Sequence, residues 1–164
     1  TTVRQMAMVS AKNSLHASLN PHAQFQDVLT VDEVLGAREI VYPLTLSMCS
    51  PVADGAAAVL VVSPERARAM GRKTGVKVCS SALVSGWDGT TKVGSHAADI
   101  AYESAAVSPA DISVVELHDA SAPSEIMAYE YLGLCAEGEG GSWLEQGVTQ
   151  LGGRQPVNTS GGLL

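Results

Sequence analysis

Residues 114–133 read VVELHDASAPSEIMAYEYLG: an apolar run that ends in a His-Asp pair, then small residues, then a stretch with helical spacing. An unperturbed imidazole titrates at about 6.5, so His118 can give or take a proton near neutrality, or donate an N–H to a developing oxyanion. Asp119 beside it can orient a loop or tune the imidazole. A helix that starts near residues 121–124 turns its unbonded N–H groups toward the same corner and favours negative charge there. By residue type and spacing alone the pair reads equally as a structural corner or as a site.

The elements around this corner follow an alternating order. Residues 56–63, AAAVLVVS, form a continuous apolar run of the kind expected in a strand covered on both faces. Ser63 as N-cap, Pro64 at the first helical position and Gly71 as the stop predict a helix after it. Residues 76–87 predict a second strand, followed by a Gly-rich loop to about Gly94 and a helix over 97–107. Residues 113–118 predict a third strand, and the segment after Asp119 a helix that stops at Gly133. The βαβαβα order favours a layered α/β domain with ligand groups at the carboxyl ends of strands, where His118 and Asp119 fall.

Upstream, Val3, Met6, Ala7 and Val9 predict a helix over residues 2–17, with Asn20 and Pro21 as the stop. Residues 20–55 read as a connector holding one helix opened by Thr30 and Asp32. Downstream, AEGEGGSWLEQG (136–147) reads as a polar Gly-rich stretch before PVNTSGGLL.

Composition narrows the function. The chain has 164 residues, 46% hydrophobic and only 4% aromatic, which suits tightly packed α/β layers of Ala, Val, Leu and Ile. A formal charge of −7 with ten scattered basic residues argues against a nucleic-acid partner. No run approaches the ~18 apolar residues of a membrane span, so a soluble, intracellular protein is the expectation. Cys49, Cys79 and Cys135 are odd in number and far apart, with no metal-ligand spacing, and read as reduced, small buried hydrophobes. No metal is expected. His16 and His22 flank a helix end and read as capping or surface residues; His96 falls in a loop without a partner. The EGEGGS and NTSGG stretches match no phosphate-binding fingerprint, and no GxSxG elbow is present.

The stretch KNSLHASLNPHAQFQDVLTVDEVLGAREIVYPLTLSMCSPVADGAAAVLVVS resembles the middle of the sterol-carrier-protein-type thiolases, with their KNHxxxxxNPxAQF, DEV helix, PLT and CxPxSDGAAA motifs. ISVVELHDASAPSEIMAYEYLGLCAEGEGG is similar to their VIELHDCFxxNELLxYEALGLCPEG segment, and LGGRQPVNTSGGLL to GGxxPVNPSGGLxxxGHPxGATG.

The resemblance implies a thiolase-like fold. Residues 1–52 correspond to a helix and connector from the N-terminal half and loop region, and 53–164 to an incomplete C-terminal half, layered βαβαβαβ and ending before the GHP loop. It further implies an acyltransferase that makes or breaks a carbon–carbon bond beside a coenzyme A thioester in lipid, fatty-acid or sterol side-chain metabolism. Coenzyme A would be a co-substrate rather than a resident cofactor. In such enzymes a cysteine is acylated and the GHP histidine does acid/base work; neither group lies in this sequence, so a fragment of a longer chain is the expectation. By the same resemblance His118 contributes to the oxyanion hole, Asp119 supports it, and Asn158, Gly161 and Gly162 lie toward the cofactor. A homodimer is implied, in the cytoplasm, or in the peroxisome of a eukaryote.

Departures from the pattern keep other functions in view. Ala120 stands for the family's Cys, Ser121 for Phe and Ser124 for Asn, and the loop from Trp87 to Gly94 is short. A thiolase-fold retro-aldolase working with a small OB-fold partner is one alternative, although such relatives tend to carry Tyr-Asp where this chain has His118-Asp119. A non-catalytic acyl-CoA- or lipid-binding subunit is another.

Overall fold

The computed structural model describes residues 1–72, 75–86 and 93–164. Thr2 opens helix α1 (Val3–Ser18) with a capping box: its hydroxyl accepts from the Gln5 N–H while the Gln5 side chain accepts from the Thr2 N–H at 2.8 Å. Thr30 and Glu33 repeat the device at helix α2 (Val31–Gly36). A two-residue turn then joins β1 (Glu39–Val41) to β2 (Leu44–Thr45), an antiparallel hairpin within the expected connector. The Thr45 hydroxyl donates to Val34 O at 2.8 Å and ties the hairpin to α2.

Helix α3 (Pro64–Ala69) forms where its signals predict. The Ser63 hydroxyl accepts from Arg66 N–H, Pro64 occupies the first turn, and Gly71 takes φ +74° at the stop. Helix α4 (Val93–Ala105) starts earlier than expected. In its first turn Gly94 packs against Tyr131, where a Cβ would lie 2.7 Å from the ring. Helix α5 (Ala122–Tyr131) follows the His-Asp corner and ends before Gly133 at φ +70°.

The first two expected strands differ from the reading. Residues 56–63 and 76–86 run without a ladder among the described residues, with Val59 at 90% and Leu83 at 98% exposure. Apolar composition marks a segment for burial in a sheet, but a strand exists only through hydrogen bonds to a neighbour. Residue 87 and the loop expected up to residue 92 lie outside the described residues. The third expected strand survives as one parallel bridge, in which Val115 N–H donates to Pro156 O (3.0 Å) and Asn158 N–H to Val115 O (2.8 Å).

Helix α6 (Gly140–Glu145) lies in the expected glycine-rich stretch. Two glycines should discourage a helix, yet here they permit contact. A Cβ on Gly140 would stand 2.6 Å from Ile126 O, so α6 can meet α5 only where that atom is missing. The core gathers where these helices meet: Ala7 and Val9 of α1, Val34, Met48, Ala122, Ile126 and Tyr129 of α5, Leu134, Leu144 and Val157. Fully burying a side chain such as Ile126 or Leu144 contributes roughly 1.5–3 kcal/mol. No helix among the described residues is long and apolar enough to cross a membrane.

The two glycines of α6 should respond differently to a methyl group. Gly140→Ala meets backbone and should lower stability by about 1–3 kcal/mol, as overpacking does. Gly141→Ala meets only the movable end of Gln5 and should stay within about 1 kcal/mol of the parent, helped by the gain in helix propensity. Paired denaturation curves check both.

Candidate functional site

Helix α1 buries an unusual face. Lys12, Asn13 and His16 are at most 5% exposed, and all three point toward α5 and the 157–163 segment. Four residues apart on α5, Glu125 and Tyr129 meet them, both fully buried. The Glu125 carboxylate accepts from Lys12 Nζ at 2.9 Å, from Asn13 Nδ2 and Asn158 Nδ2 at 2.8 Å each, and from the Tyr129 hydroxyl. Lys12 Nζ also donates to Asn13 Oδ1 (2.6 Å) and Val157 O (2.9 Å), so all three ammonium hydrogens have acceptors. Burial lowers the Lys12 pKa, opposed by the attraction of Glu125. Burial and the Glu125 charge push the Tyr129 hydroxyl upward, keeping it a neutral donor.

Asp119 joins this cluster from the other side. Its Oδ2 accepts from Asn13 Nδ2 and its Oδ1 from Leu163 N–H, both at 2.8 Å. Burial raises its pKa, and the nearby Glu125 charge adds to the effect against the Leu163 bond. Gly162, at φ +68°, passes so close that a Cβ would collide with the Asp119 carboxylate; one on Gly161, at φ +109°, would lie 2.6 Å from Ala17 Cβ. Asn158, at φ +51°, is buried, with Oδ1 accepting from Leu117 N–H at 2.8 Å. The structure therefore brings Asp119, Asn158, Gly161 and Gly162 together. It places the last three in the wall of a polar cluster, where Asn158 faces Glu125 and Leu117.

His118 stands at the same corner with its side chain exposed, and makes no hydrogen bond or ion pair among the described residues. Its neighbours are fixed: Leu117 by Asn158, Asp119 by Asn13 and Leu163. On the rim, Glu116 accepts from Thr159 Oγ1 (2.8 Å), Ser160 N (3.0 Å) and Ser160 Oγ (2.7 Å). Partial burial pushes Glu116 upward, but these bonds outweigh it and hold the carboxyl below its ordinary value.

Beside the corner lies a cavity of about 260 Å³, lined by Ser10, Ser14, Leu29, Leu46, Cys49 and Leu164 among others. Cys49 pairs antiparallel with Ser121, and Ser50 N–H donates to Ala120 O at 3.1 Å, so the cavity wall abuts the loop that carries His118. The cysteines differ from the expected buried hydrophobes: Cys49 is half-buried on this wall and Cys79 is exposed. Half-buried Cys135 is pushed up to about 11 by burial and by the Glu130 and Glu139 charges. No group of three His, Cys, Asp or Glu among the described residues could hold a metal.

The reading of His16 as a cap or surface residue is corrected. It is fully buried, with Nε2 accepting from Leu151 N–H (3.1 Å), which makes Nδ1 the protonated nitrogen donating to Asn158 O (3.0 Å). Lys12, Asn13 and Tyr129 also escaped notice in the sequence. The available signal was Lys-Asn on the same helical face as apolar residues, opposite a Glu one turn from a Tyr.

The family described as thiolase C-terminal domain-like matches residues 75–164. The benzoylsuccinyl-CoA thiolase subunit BbsB of Thauera aromatica is 38% identical over 99% of the chain and 44% of its own length. An acetyl-CoA acetyltransferase of Methanothermobacter thermautotrophicus is 42% identical over 99% and 44%, and sterol carrier protein 2 of Rattus norvegicus 35% over 100% and 32%. The chain thus spans less than half the length of these curated relatives. The solved structure of an Ltp2-ChsH2(DUF35) aldolase superposes with a TM-score of 0.84 at 30% identity, over 99% of this chain and 46% of that one.

Burial lowers the His16 pKa, with the Lys12 charge adding to it against the Asn158 bond. A depressed histidine contributes stability that is present above its unfolded pKa of about 6.5 and is lost as pH falls below it. Between pH 7.5 and 5 the melting temperature of the parent should therefore drop more steeply than that of His16→Gln. Equal slopes would refute this reading of His16.

Proposed function

The chain belongs to the thiolase superfamily, in its sterol-carrier-protein type, and from that premise we propose that it is part of an enzyme acting on acyl-CoA, with residues 53–164 in its C-terminal half. The reaction would make or break a carbon–carbon bond next to the thioester. One observation carries this reading: an exposed histidine stands on a corner whose flanking residues are held by partly buried hydrogen bonds, next to a cavity lined by apolar side chains and hydroxyls.

Breaking the bond to the α carbon leaves an enolate, whose charge collects on the thioester oxygen. An imidazole N–H from His118 would meet that charge, and a donor fixed before the reaction stabilises the transition state without reorganising. Helix α5 begins four residues later and adds a positive dipole end on the same side. Asp119 is already engaged with Asn13 and Leu163, so its part is to hold the corner rather than to touch the substrate. The covalent step of a thiolase needs a nucleophilic cysteine, which the rest of the protein would supply; coenzyme A serves as co-substrate.

A retro-aldolase is the second reading, favoured by the likeness to the solved aldolase. The name of that aldolase joins two proteins, and the benzoylsuccinyl-CoA relative is named as a subunit, which supports an assembly with a second copy or a small OB-fold partner.

The full-length protein should cleave a β-ketoacyl-CoA in the presence of CoA. His118→Ala should lower kcat by about 10²–10³, the usual cost of losing one oxyanion donor, with KM nearly unchanged. Cleavage only of a β-hydroxyacyl-CoA without added CoA would favour the aldolase reading. Unchanged thiolysis by His118→Ala would remove His118 from the mechanism.

A further inference from the structure

His118 has no hydrogen bond of its own among the described residues, so its placement must come through its chain neighbours. Both neighbours lead to the same atoms. Leu117 N–H is held by Asn158 Oδ1, and Asn158 Nδ2 by Glu125 Oε2. Asp119 is held through Oδ2 by Asn13 Nδ2, and that nitrogen also donates to Glu125 Oε2. The bonds from Leu117 through Asn158, Glu125 and Asn13 to Asp119 close a ring around the backbone of His118.

We propose that Asn13, on a helix 106 residues away in sequence, is the positioning residue for the His118 corner and the 158–163 segment. Glu125 and Asp119 are both carboxyl groups, fully buried, and they face each other across one nitrogen. Like charges so placed repel unless donors lie between them. The Asn13 amide gives one hydrogen to each carboxyl group, while its oxygen accepts from Lys12. Two donors and one acceptor at this reach are what a primary amide offers and a carboxylate does not. Asp119 then remains free to receive Leu163 N–H, which joins the corner to the segment passing over it. The consequence for catalysis rests on the reading of His118 as the donor to the thioester oxygen: a donor held through its neighbours loses aim when they shift, and a misplacement of about 1 Å costs on the order of 100-fold in rate.

The test uses the full-length protein carrying Asn13→Asp, which keeps the shape and replaces the double donor by an acceptor. Position 13 is faced by Lys12, Asp119, Glu125 and the Tyr129 hydroxyl on Glu125, with the neutral His16 one turn along α1. A third carboxylate among these groups is disfavoured at high pH, and on protonation it regains one hydrogen to donate.

Expected at pH 8 is a kcat lower by about 100-fold with KM nearly unchanged, recovering as pH falls in a way that neither the parent nor His118→Ala shows. Amide exchange should accelerate at Leu117 and Leu163 but not in α4. A parent-like kcat and pH profile, or exchange accelerated uniformly through the protein, would overturn the proposal. If Asn13→Asp does not fold, Asn13→Ser retains one donor and should lose about tenfold in kcat; an unaffected kcat there overturns the proposal as well. A parent protein inactive on both acyl-CoA substrates would defeat the functional reading alone, and the exchange rates at Leu117 and Leu163 would still decide the role of Asn13.

Discussion

The fold and its corner turn on one pair of charges taken out of water together, Lys12 and Glu125 at 2.9 Å, exposed at 2% and 0% of their side chains. Removing two ions from solvent costs several kcal/mol each, and their mutual attraction offsets this only when every remaining hydrogen and lone pair is occupied. Here that condition is met. The ammonium reaches Glu125, Asn13 and a backbone carbonyl, and the carboxylate gathers three further donors. Such a cluster tolerates little variation in geometry, because each member is a partner that another cannot lose.

That intolerance links fold to site. The cluster draws its members from α1, from α5 and from the segment 157–158, which are far apart in sequence, and so fixes the one place where these parts meet. The apolar core of Ala7, Val9, Ile126, Tyr129 and Val157 supplies the driving force for their approach. The polar bonds select one arrangement among those the core would accept. Gly161 and Gly162 then let the chain pass within contact of Ala17 and Asp119, with positive φ angles that other residues resist. His118 is left exposed on a corner whose two flanking residues, Leu117 and Asp119, are held by hydrogen bonds to Asn158, Asn13 and Leu163.

Local signals in the sequence were reliable where local chemistry decides the outcome. Ser63, Pro64 and Gly71 bound α3, the Thr30 cap opens α2, and Gly133 follows the end of α5. The His-Asp corner was legible as an apolar run meeting a helix start. Elements that depend on distant partners were not. Residues 56–63 carry the composition of a strand but no ladder among the described residues, and α6 forms from glycines that only make sense against Ile126 and Gln5. The cluster was hidden for the same reason. A lysine, an asparagine and a histidine on a helix read as its wet face, and their burial becomes visible only when Glu125 and Asn158 arrive from elsewhere in the chain.

The central claim is that Lys12 and Glu125 are interdependent, and a double-mutant cycle measures that dependence directly. Lys12→Met and Glu125→Gln alone should each destabilise the protein by about 3–5 kcal/mol, since each leaves the other group's charge buried without its partner. The double variant should then lose much less than the two costs together, because no unpaired charge remains. Costs that add to within about 0.5 kcal/mol would mean that the two residues act independently, and the account built on their pairing would be wrong.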